Sequence, residues 1–424
     1  MTEQVTQQEK NYKRNLVGFT LVNVFWQMGA TFVIPQTALI YFLKELNATN
    51  LIIGSIVPIF LFFHSFPSMF WGAVLQNDKN IRLKLLFYCA LIFFPYFVIF
   101  LLLSNFNIYN SIFIYILLGL FMFSNIGASI ESLAYQNYVA NAVPPNKRGT
   151  LWGIVFSFGY LVSLIAFPIM NTLNKNLNTY NYYKYSFLIY SLFAFVASLF
   201  FFLTKGPKPV ASKEKKSKVN FKNYLKNSVA ILKNDRNFRN LLLIMYLNSF
   251  ITVISSFMMI YIIKQFNISN SQNIQFSIIF ALLSGVGVFV AGKTGDKLGF
   301  KKVLLISNMV NSLAVILLLI NNSFQLVYLI FPLIVFSLAL QEQAVINLPI
   351  ECCPDDNKVQ YIGIFNTLTS PSLFLPIILG LLIDSKFLNL GTVLGMSAAF
   401  VLLSFFLFLT IFKEPRKNSV KPNT

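Results

Sequence analysis

Apolar runs of membrane-spanning length fill most of this 424-residue chain. A helix of about 20 predominantly apolar residues is long enough to cross the hydrocarbon core of a bilayer. Only 11% of the residues are charged, roughly half the share in a soluble domain, and the strict alternation of a membrane β-barrel is absent. We therefore predict an all-α integral membrane protein with twelve transmembrane helices. The predicted spans lie at 16–43, 51–75, 83–104, 111–140, 151–173 and 183–204, and at 239–263, 272–292, 303–320, 325–350, 361–383 and 389–412.

The chain also contains an internal duplication. The tripeptide Arg-Asn-Leu occurs at 14–16 and again at 239–241, followed in both places by asparagine and phenylalanine at the same spacings. Further on, Asn137 matches Asn347 at a shift of 210. Matches in the same order along the chain indicate a tandem repeat of roughly 200 residues, too long a period for a solenoid. The duplication predicts two six-helix bundles, at 1–204 and 239–424.

A polar, lysine-rich segment at 205–238 joins the two predicted bundles. Two prolines near its start stop the preceding helix, and the lysine-rich stretch after them predicts a flexible linker. Apolar residues then recur at helical spacing among lysines, which predicts an amphipathic helix on the membrane surface. The predicted apolar face consists of Phe221, Leu225, Val229 and Leu232.

The charge distribution predicts the orientation. Of the 33 lysine and arginine residues, 28 fall on one side of the predicted membrane and five on the other. Basic residues concentrate in cytoplasmic loops, so we expect a multi-pass protein of the cell membrane with both termini in the cytoplasm. The net charge of +19 follows from this topology, and a nucleic-acid partner is not expected. The five outer residues are Lys44, Lys175, Lys184, Lys264 and Lys386.

Residue types that carry catalytic or metal chemistry are scarce. The chain has one histidine, His64, and three cysteines, Cys89, Cys352 and Cys353, without metal-ligand spacing. The sequence patterns of the nucleophile elbow, the P-loop and the H-E-x-x-H metalloproteases are absent. We therefore expect neither an enzyme nor a bound metal or cofactor.

Two short segments carry a family resemblance. Residues 292–302, between the eighth and ninth predicted spans, read GKTGDKLGFKK. They closely resemble the G-x-x-x-D-R/K-x-G-R/K-R/K cytoplasmic loop of the major facilitator superfamily of secondary transporters. Residues 144–149 read PPNKRG, which resembles the P-x-x-x-R-G loop after the fourth span in many bacterial members.

The resemblance implies that the segment at 292–302 acts as a conformational latch. Gly292 would allow two helices to approach closely, and Asp296 would face the N-terminus of a helix in the neighbouring bundle, where the helix dipole favours an anion. Gly299 would permit the tight turn, and the lysines would keep the segment on the cytoplasmic side. The equivalent loop of the first repeat has Gln76 in place of the aspartate, so we expect Asp296 to carry most of the latch. The implied latch residues are Gly292, Asp296, Lys297, Gly299 and Lys301.

The resemblance further implies a solute cavity lined by spans one, four, seven and ten. Polar side chains recur at helical spacing on these spans, which places them on a common helix face. A polar stripe in hydrocarbon faces either water or a neighbouring helix, so helix–helix contacts stay open as an alternative. The candidate cavity residues are Asn23, Gln27, Asn125, Ser129, Glu131, Gln136, Asn248, Thr252, Gln341 and Glu342.

Two carboxylates, Glu131 and Glu342, lie well inside the predicted spans. An ionisable group at this depth costs on the order of 3 kcal/mol or more and is normally functional. The shift of 210 brings Glu131 to Gln341, next to Glu342, so the two occupy nearly equivalent levels of the repeats. We predict that one of them carries a coupling proton, with His64 as a further candidate. Binding of a cationic part of the solute and a neutral structural carboxyl group are the alternatives.

Together these features predict alternating-access transport of a small organic solute by a monomer in the lipid bilayer, coupled to protons. Efflux of amphipathic compounds and uptake of a polar metabolite stay open within this class. A non-transporting membrane receptor or a lipid scramblase on the same fold is the alternative from a different class.

Overall fold

The computed structural model describes residues 3–33, 39, 42, 43, 46, 48, 50–75, 81–105, 111–206, 221–267, 270–353 and 357–415. Within these ranges every regular element is a helix and no β-strand occurs. The chain divides into two compact units. The first unit comprises Met1–Pro145, Phe158–Phe221 and Ile362–Ser370, and the second comprises Asn146–Ser157, Lys222–Tyr361 and Pro371–Thr424.

Sixteen α-helices are described in chain order. The first half of the sequence contributes α1 (Glu3–Ala30), α2 (Asn50–Ser65), α3 (Ser68–Leu75), α4 (Ile81–Asn105), α5 (Ser111–Ala142), α6 (Arg148–Asn176) and α7 (Thr179–Leu199). The second half contributes α8 (Phe221–Asn234), α9 (Arg236–Asn248), α10 (Phe250–Phe266), α11 (Asn270–Leu298), α12 (Phe300–Ile320), α13 (Phe324–Glu351), α14 (Lys358–Thr369), α15 (Leu375–Asp384) and α16 (Leu390–Thr410).

The helical segments lie at the positions of the predicted spans. Eleven helical segments of the described residues are long and apolar enough to cross a membrane. The remaining predicted span, 51–75, contains a shorter apolar helical segment, Ile59–Leu75. The prediction of an all-helical membrane protein with twelve spans is therefore confirmed. Helix ends extend past the apolar runs in places, since α11 continues to Leu298 although its predicted span ends at 292.

Proline interrupts two of the predicted spans. Pro67 has no N–H to donate, and the second span is split around it into α2 and α3. The hydroxyl of Thr367 donates to the Phe66 carbonyl at 2.8 Å and accepts from the Met69 N–H at 2.9 Å. One side chain thus compensates for two backbone groups that the break removes from the helix, as a membrane interior requires. Pro371 lies in the 3-10 segment between α14 and α15.

Aromatic side chains fill the core of the first unit. Phe121 of α5 and Phe187 of α7 are fully buried, with their ring centroids 6.3 Å apart. Tyr96 of α4 packs on these two rings at 5.6 and 6.0 Å. Lipid tails are as apolar as these side chains, so close van der Waals packing holds such helices together. The helices α4, α5 and α7 form the centre of the first unit.

Buried polar side chains link helices of the second unit. Asn308 of α12 donates to the Ser404 hydroxyl of α16 at 2.9 Å, and Asn311 donates to the Ser337 hydroxyl of α13 at 2.8 Å. Hydrogen bonds between helices in a membrane contribute about 0.6–2 kcal/mol each. The helix α12 therefore holds α13 and α16 partly through polar contacts. Its fully buried polar residues are Ser307, Asn308, Asn311 and Ser312.

Each unit contains the same asparagine contact. In the first unit, the Asn15 amide donates to the Lys205 carbonyl at 2.9 Å and accepts from the Lys205 N–H at 2.7 Å. In the second unit, Asn237 makes the same two bonds with Lys413, at 3.0 and 2.8 Å. The contacts thus repeat the internal duplication, but they pair Asn15 with Asn237, whereas the matching tripeptides pair it with Asn240.

The segment predicted as an amphipathic helix is helical, as α8. Phe221 and Val229, which the spacing assigns to the apolar face, are exposed, while Tyr224 and Ser228 are buried. Gln360 of α14 donates to the Tyr224 carbonyl at 3.1 Å and to the Ser228 hydroxyl at 2.8 Å. Polar contacts to α14 therefore set the rotation of α8, and burial raises the pKa of the Tyr224 hydroxyl.

Each compact unit includes one segment from the opposite half of the sequence. Asn146–Ser157, which contains the start of α6, belongs to the second unit. Ile362–Ser370, which contains most of α14, belongs to the first. Contacts between residues that are far apart in the sequence therefore occur inside single units, and two of them involve candidate functional residues.

Candidate functional site

Asp296 caps the N-terminus of α6. Its Oδ1 accepts from the Gly149 N–H at 2.8 Å, and its Oδ2 accepts from the Thr150 N–H at 2.5 Å. Because α6 begins at Arg148, these N–H groups belong to the first turn, where they have no partner within the helix. A carboxylate at this position gains both charge-assisted hydrogen bonds and a favourable interaction with the helix dipole. The contact is of the kind that the family resemblance implies.

Glycines allow α6 and α11 to approach closely beside this cap. A methyl group at Gly149 would lie 2.5 Å from the Gly292 carbonyl oxygen, and one at Gly292 would lie 2.0 Å from the Gly149 carbonyl oxygen. One turn further along α6, a methyl group at Gly153 would lie 2.9 Å from the Val288 carbonyl oxygen. The crossing therefore tolerates only the smallest residues, as in other close helix contacts in membranes.

The substitution Gly292→Ala should lower the stability of the folded protein by about 1–3 kcal/mol, because the added methyl forces two backbones apart. The measurement is thermal unfolding of the purified protein in a fixed detergent. Gly119→Ala is the matched control, since a methyl group there meets nothing within 4 Å. If both alanine variants melt at the wild-type temperature, the close crossing is not a constraint on the fold.

The segment predicted as a cytoplasmic loop is mostly helical, which corrects that expectation. Gly299 alone separates α11 from α12, and its φ of +91° lies in the region that favours glycine. Lys297 is exposed, and the Lys301 ammonium donates to the Phe412 carbonyl. Two helix ends and the turn at Gly299 therefore position the implied latch residues.

The first-repeat counterpart of this segment lies outside the described residues. The helix α3 ends at Leu75, and the description resumes at Ile81, so Gln76 is not included. The expectation that Asp296 carries most of the latch remains a prediction.

Asn23 and Gln27 of α1 pack against Gly159 of α6 in the first unit. A methyl group at Gly159 would meet Asn23 Oδ1 at 2.2 Å and Gln27 Cγ at 2.9 Å. Asn23 is buried, and its Oδ1 has no hydrogen-bond partner among the described residues. Both side chains share one face of α1, and this face lies at a helix–helix contact.

The other candidate amides and hydroxyls of the first unit lie on α5. Asn125 donates to the carbonyl four residues earlier at 2.8 Å, and Gln136 donates to a serine hydroxyl one turn earlier at 3.1 Å. The Ser129 hydroxyl lies 3.2 Å from that of Ser68 on α3. Asn125 and Ser129 are buried, whereas Gln136 is half-buried. Gln136 is therefore the most accessible of these three to a solute.

Glu131 is half-buried on the same helix. Cys89 of α4, Tyr135 of α5 and Tyr190 of α7 lie close enough to interact with it electrostatically. No basic side chain of the described residues pairs with it. A carboxyl group without a fixed counter-ion can exchange a proton without first breaking a salt bridge. His64, half-buried near the end of α2, makes no hydrogen bond to Glu131 within the described residues.

The candidates of the second unit lie at a helix break and on α13. Asn248 ends α9, is fully buried, and accepts from the Ser404 hydroxyl at 3.3 Å. Thr252, in the first turn of α10, donates to the carbonyl three residues earlier at 2.7 Å. Gln341 is buried and Glu342 is half-buried on α13. Thr252 and Glu342 are therefore the half-buried candidates of this group.

The described residues contain no group of three or more histidine, cysteine or acidic side chains that could hold a metal ion. Cys89, Cys352 and Cys353 are free thiols. Burial, and secondarily the negative charge of Asp235, raise the pKa of the Cys352 thiol. Because the thiolate is the reactive form, Cys352 should react slowly with thiol reagents at neutral pH.

The partners of Asp296 were only partly visible in the sequence. Gly149 belongs to the segment that resembles the P-x-x-x-R-G loop, and the G-x-x-x-G spacing of Gly149 and Gly153 is a signal for close helix packing. Thr150 and Gly159 carry no such signal. Their roles arise from contacts with residues more than 100 positions away in the sequence.

A family model described as Major Facilitator Superfamily matches residues 19–276 and 241–424 of the chain. The two matched ranges together cover most of the sequence and both repeats. No curated protein sequence gives a significant match.

Solved structures of transporters share the fold. The human organic anion transporter MFSD10 (TETRAN) is 14% identical, with 93% of this chain and 99% of that chain covered at a TM-score of 0.69. The proton:xylose symporter XylE, bound to 6-bromo-6-deoxy-D-glucose, is 14% identical, with 96% and 97% covered at 0.72. The E. coli fucose:proton symporter FucP is 13% identical, with 94% and 98% covered at 0.70. At such identities the likeness shows a common fold.

Proposed function

Because this chain belongs to the major facilitator superfamily, a family of membrane transporters rather than enzymes, we propose that it moves a small organic solute by alternating access, coupled to protons. The chain is a multi-pass membrane protein that transports a solute. The proposal concerns the chemical class of the solute, the energy source, and the residues that bind the solute or carry the proton.

The observation that carries the proposal is the Asp296 cap on α6. Alternating access needs contacts that form in one state and break in another. A carboxylate on two first-turn N–H groups suits this purpose, because water can satisfy both partners when they separate. We assign Asp296 as the latch, Gly292 as the point of close approach and Gly299 as the turn, with Lys297 and Lys301 flanking it. In this scheme 1–204 and 239–424 are the repeat bundles that move, joined by 205–238, in a monomer.

The distribution of basic residues favours a neutral or cationic solute. Within the predicted spans the only basic residues are Lys84, Lys184 and Arg239, each in the first two positions of its span. The middle of the spans contains the carboxylates Glu131 and Glu342 instead. An anion at that depth would meet no opposite charge and would lose most of its hydration.

The coupling proton is assigned to Glu131, with Glu342 as the second candidate and His64 as the third. Glu131 is half-buried and has no basic partner among the described residues. Two of the similar folds belong to proton symporters by name, which supports this choice of ion. The identity of the solute decides the direction of net transport. A polar metabolite corresponds to uptake, and an amphipathic compound corresponds to efflux.

A test of transport requires a solute and a sealed membrane. A thermal-shift screen of purified protein against metabolites and drugs identifies ligands, because a compound that binds the folded state raises its apparent stability. Counterflow of the labelled ligand into proteoliposomes then measures translocation. Binding without counterflow would support a receptor, and lipid flipping without counterflow would support a scramblase.

Cysteine labelling should place both termini in the cytoplasm. In a background where the native cysteines are replaced, cysteines at Asn47 and Asn267 should react with an impermeant thiol reagent added to intact cells. Cysteines at Lys216 and Lys301 should react only after the membrane is opened. Labelling at Lys216 in intact cells would reverse the proposed orientation.

A further inference from the structure

Several polar atoms in the interior of the second unit have no protein partner. Asn308 Oδ1, Asn311 Oδ1 and Ser312 Oγ on α12 make no hydrogen bond to any described residue. Asn248 Nδ2 on α9 likewise makes no hydrogen bond to a described residue. All four side chains are 0% exposed. A buried polar group without a partner costs about 1–3 kcal/mol. The unit therefore contains a group of buried polar atoms that a small polar ligand could satisfy by hydrogen bonding.

The hydroxyl of Ser404 on α16 joins two of these residues. It accepts from Asn308 Nδ2 at 2.9 Å, and its single proton is shared between the Val401 carbonyl at 2.7 Å and Asn248 Oδ1 at 3.3 Å. Each amide group therefore contacts the same hydroxyl through one polar atom, and its other polar atom has no partner among the described residues. The remaining groups are an acceptor on Asn308 and a donor on Asn248. One water molecule complements this pair, because it can accept from the second and donate to the first.

The remaining unpartnered atoms lie on the next turn of α12. Asn311 donates to the Ser337 hydroxyl at 2.8 Å, and that hydroxyl donates onward to the Ile334 carbonyl at 2.6 Å, so Asn311 Oδ1 is left over. Ser312 follows Asn308 by four residues, which places the two on the same face of the helix. The unpartnered polar atoms of α12 thus extend over about one helical turn.

The first unit offers a contrast. The helix α4 is the counterpart of α12 in the repeat, and it buries no serine or asparagine. Its buried residues are Ile81, Leu85, Tyr88, Cys89, Ile92, Pro95, Tyr96, Ile99 and Leu103. Both helices lie in the core of their units, so burial alone does not require polar residues there. The run of buried serines and asparagines is therefore a feature of α12 that α4 lacks.

We propose that α12 carries a buried hydration site, in which water molecules bridge Asn248, Asn308, Asn311 and Ser312. Buried waters typically bond to otherwise unsatisfied polar groups and are part of a fold. A cation fits less well, because every group named here is neutral and an ion in this interior would lack a counter-charge. The inference does not depend on the assigned roles of Asp296 or Glu131.

The substitution Ser312→Ala tests the site, because it removes a hydroxyl that has no protein partner. If water occupies the site, the variant loses a hydrogen bond to water and should melt roughly 2–4 °C below the wild type. If the hydroxyl is buried dry, its removal relieves an unsatisfied group and the melting temperature stays equal or rises. An equal or higher melting temperature therefore overturns the proposal.

Two comparisons complete the test. Ser397→Ala is the matched control, since Ser397 is equally buried but donates to the Val393 carbonyl at 2.7 Å. The melting temperature of this variant should not depend on hydration of α12. The wild type should melt at the same temperature in sodium chloride and in choline chloride of equal ionic strength. A stabilisation by sodium that Ser312→Ala abolishes would assign the site to a cation and overturn the water proposal.

Discussion

Exchanging Asp296 for asparagine should slow transport by about 30- to 150-fold while the protein folds and binds its solute. Asparagine has the same shape, but it is neutral and turns one N–H-bearing atom toward a first-turn N–H of α6. The cap consists of two hydrogen bonds, at 2.8 and 2.5 Å, and bonds to charged groups contribute about 1.5–3 kcal/mol each. A loss of roughly 2–3 kcal/mol in one state of the cycle shifts the balance of states by that factor.

Initial rates in proteoliposomes and the dissociation constant from thermal shift are the two quantities to measure. Lys293→Gln is the matched control, because Lys293 is an exposed charged residue one turn earlier on α11 and makes no contact to the α6 N-terminus in the described hydrogen bonds. Its rate should stay near that of the wild type. A normal rate for Asp296→Asn would reject the latch, whereas loss of binding with transport would point to misfolding or a direct solute contact.

Replacing Glu131 by glutamine should abolish transport driven by a pH gradient, with solute exchange in the absence of a gradient preserved. The amide keeps the size of the side chain and loses only the ability to titrate. No basic side chain of the described residues pairs with the carboxyl group, so the substitution does not leave a buried cation without its partner. The loss is expected to be complete within the sensitivity of a flux assay.

Paired flux assays separate the two possible roles of the carboxylate. If Glu131 binds a cationic part of the solute, the glutamine variant should lose binding and exchange together. Glu342→Gln, at the nearly equivalent position of the second repeat, is the parallel variant and should retain gradient-driven transport if Glu131 is the proton carrier. Full gradient-driven transport by both variants would exclude both residues as the coupling site and leave a facilitator or another driving ion.

The class of protein and its span count could be read from the sequence, because a bilayer restricts a chain so severely. Only helices of sufficient length satisfy every backbone group in hydrocarbon, so hydropathy alone predicted twelve spans, and the duplicated segments predicted two repeats. Asp296 could also be selected from its local pattern. What the pattern could not supply was the partner of the carboxylate, since Gly149 and Thr150 lie 147 and 146 residues earlier.

The partners of the predicted helix faces could not be read from the sequence pattern. On α8, Tyr224 and Ser228 lie on the face that packs against the protein, where Gln360 bonds to them. Asn23 and Gln27 share the predicted face of α1, yet that face meets Gly159. In both cases a residue from a distant helix decided which atoms were covered.

Hydropathy, length and basic-residue placement are local properties, and they were sufficient to predict a twelve-span helical membrane protein. The local resemblance of residues 292–302 and 144–149 then predicted a transporter. The cap on α6, the glycine crossing, the Thr367 bridge across the Pro67 break and the unsatisfied interior of α12 were decided only by tertiary structure. The physical reason is that helices in lipid are held by close packing and by individual hydrogen bonds rather than by apolar burial. Such contacts depend on the rotation and level of each helix against a neighbour, which no single segment encodes.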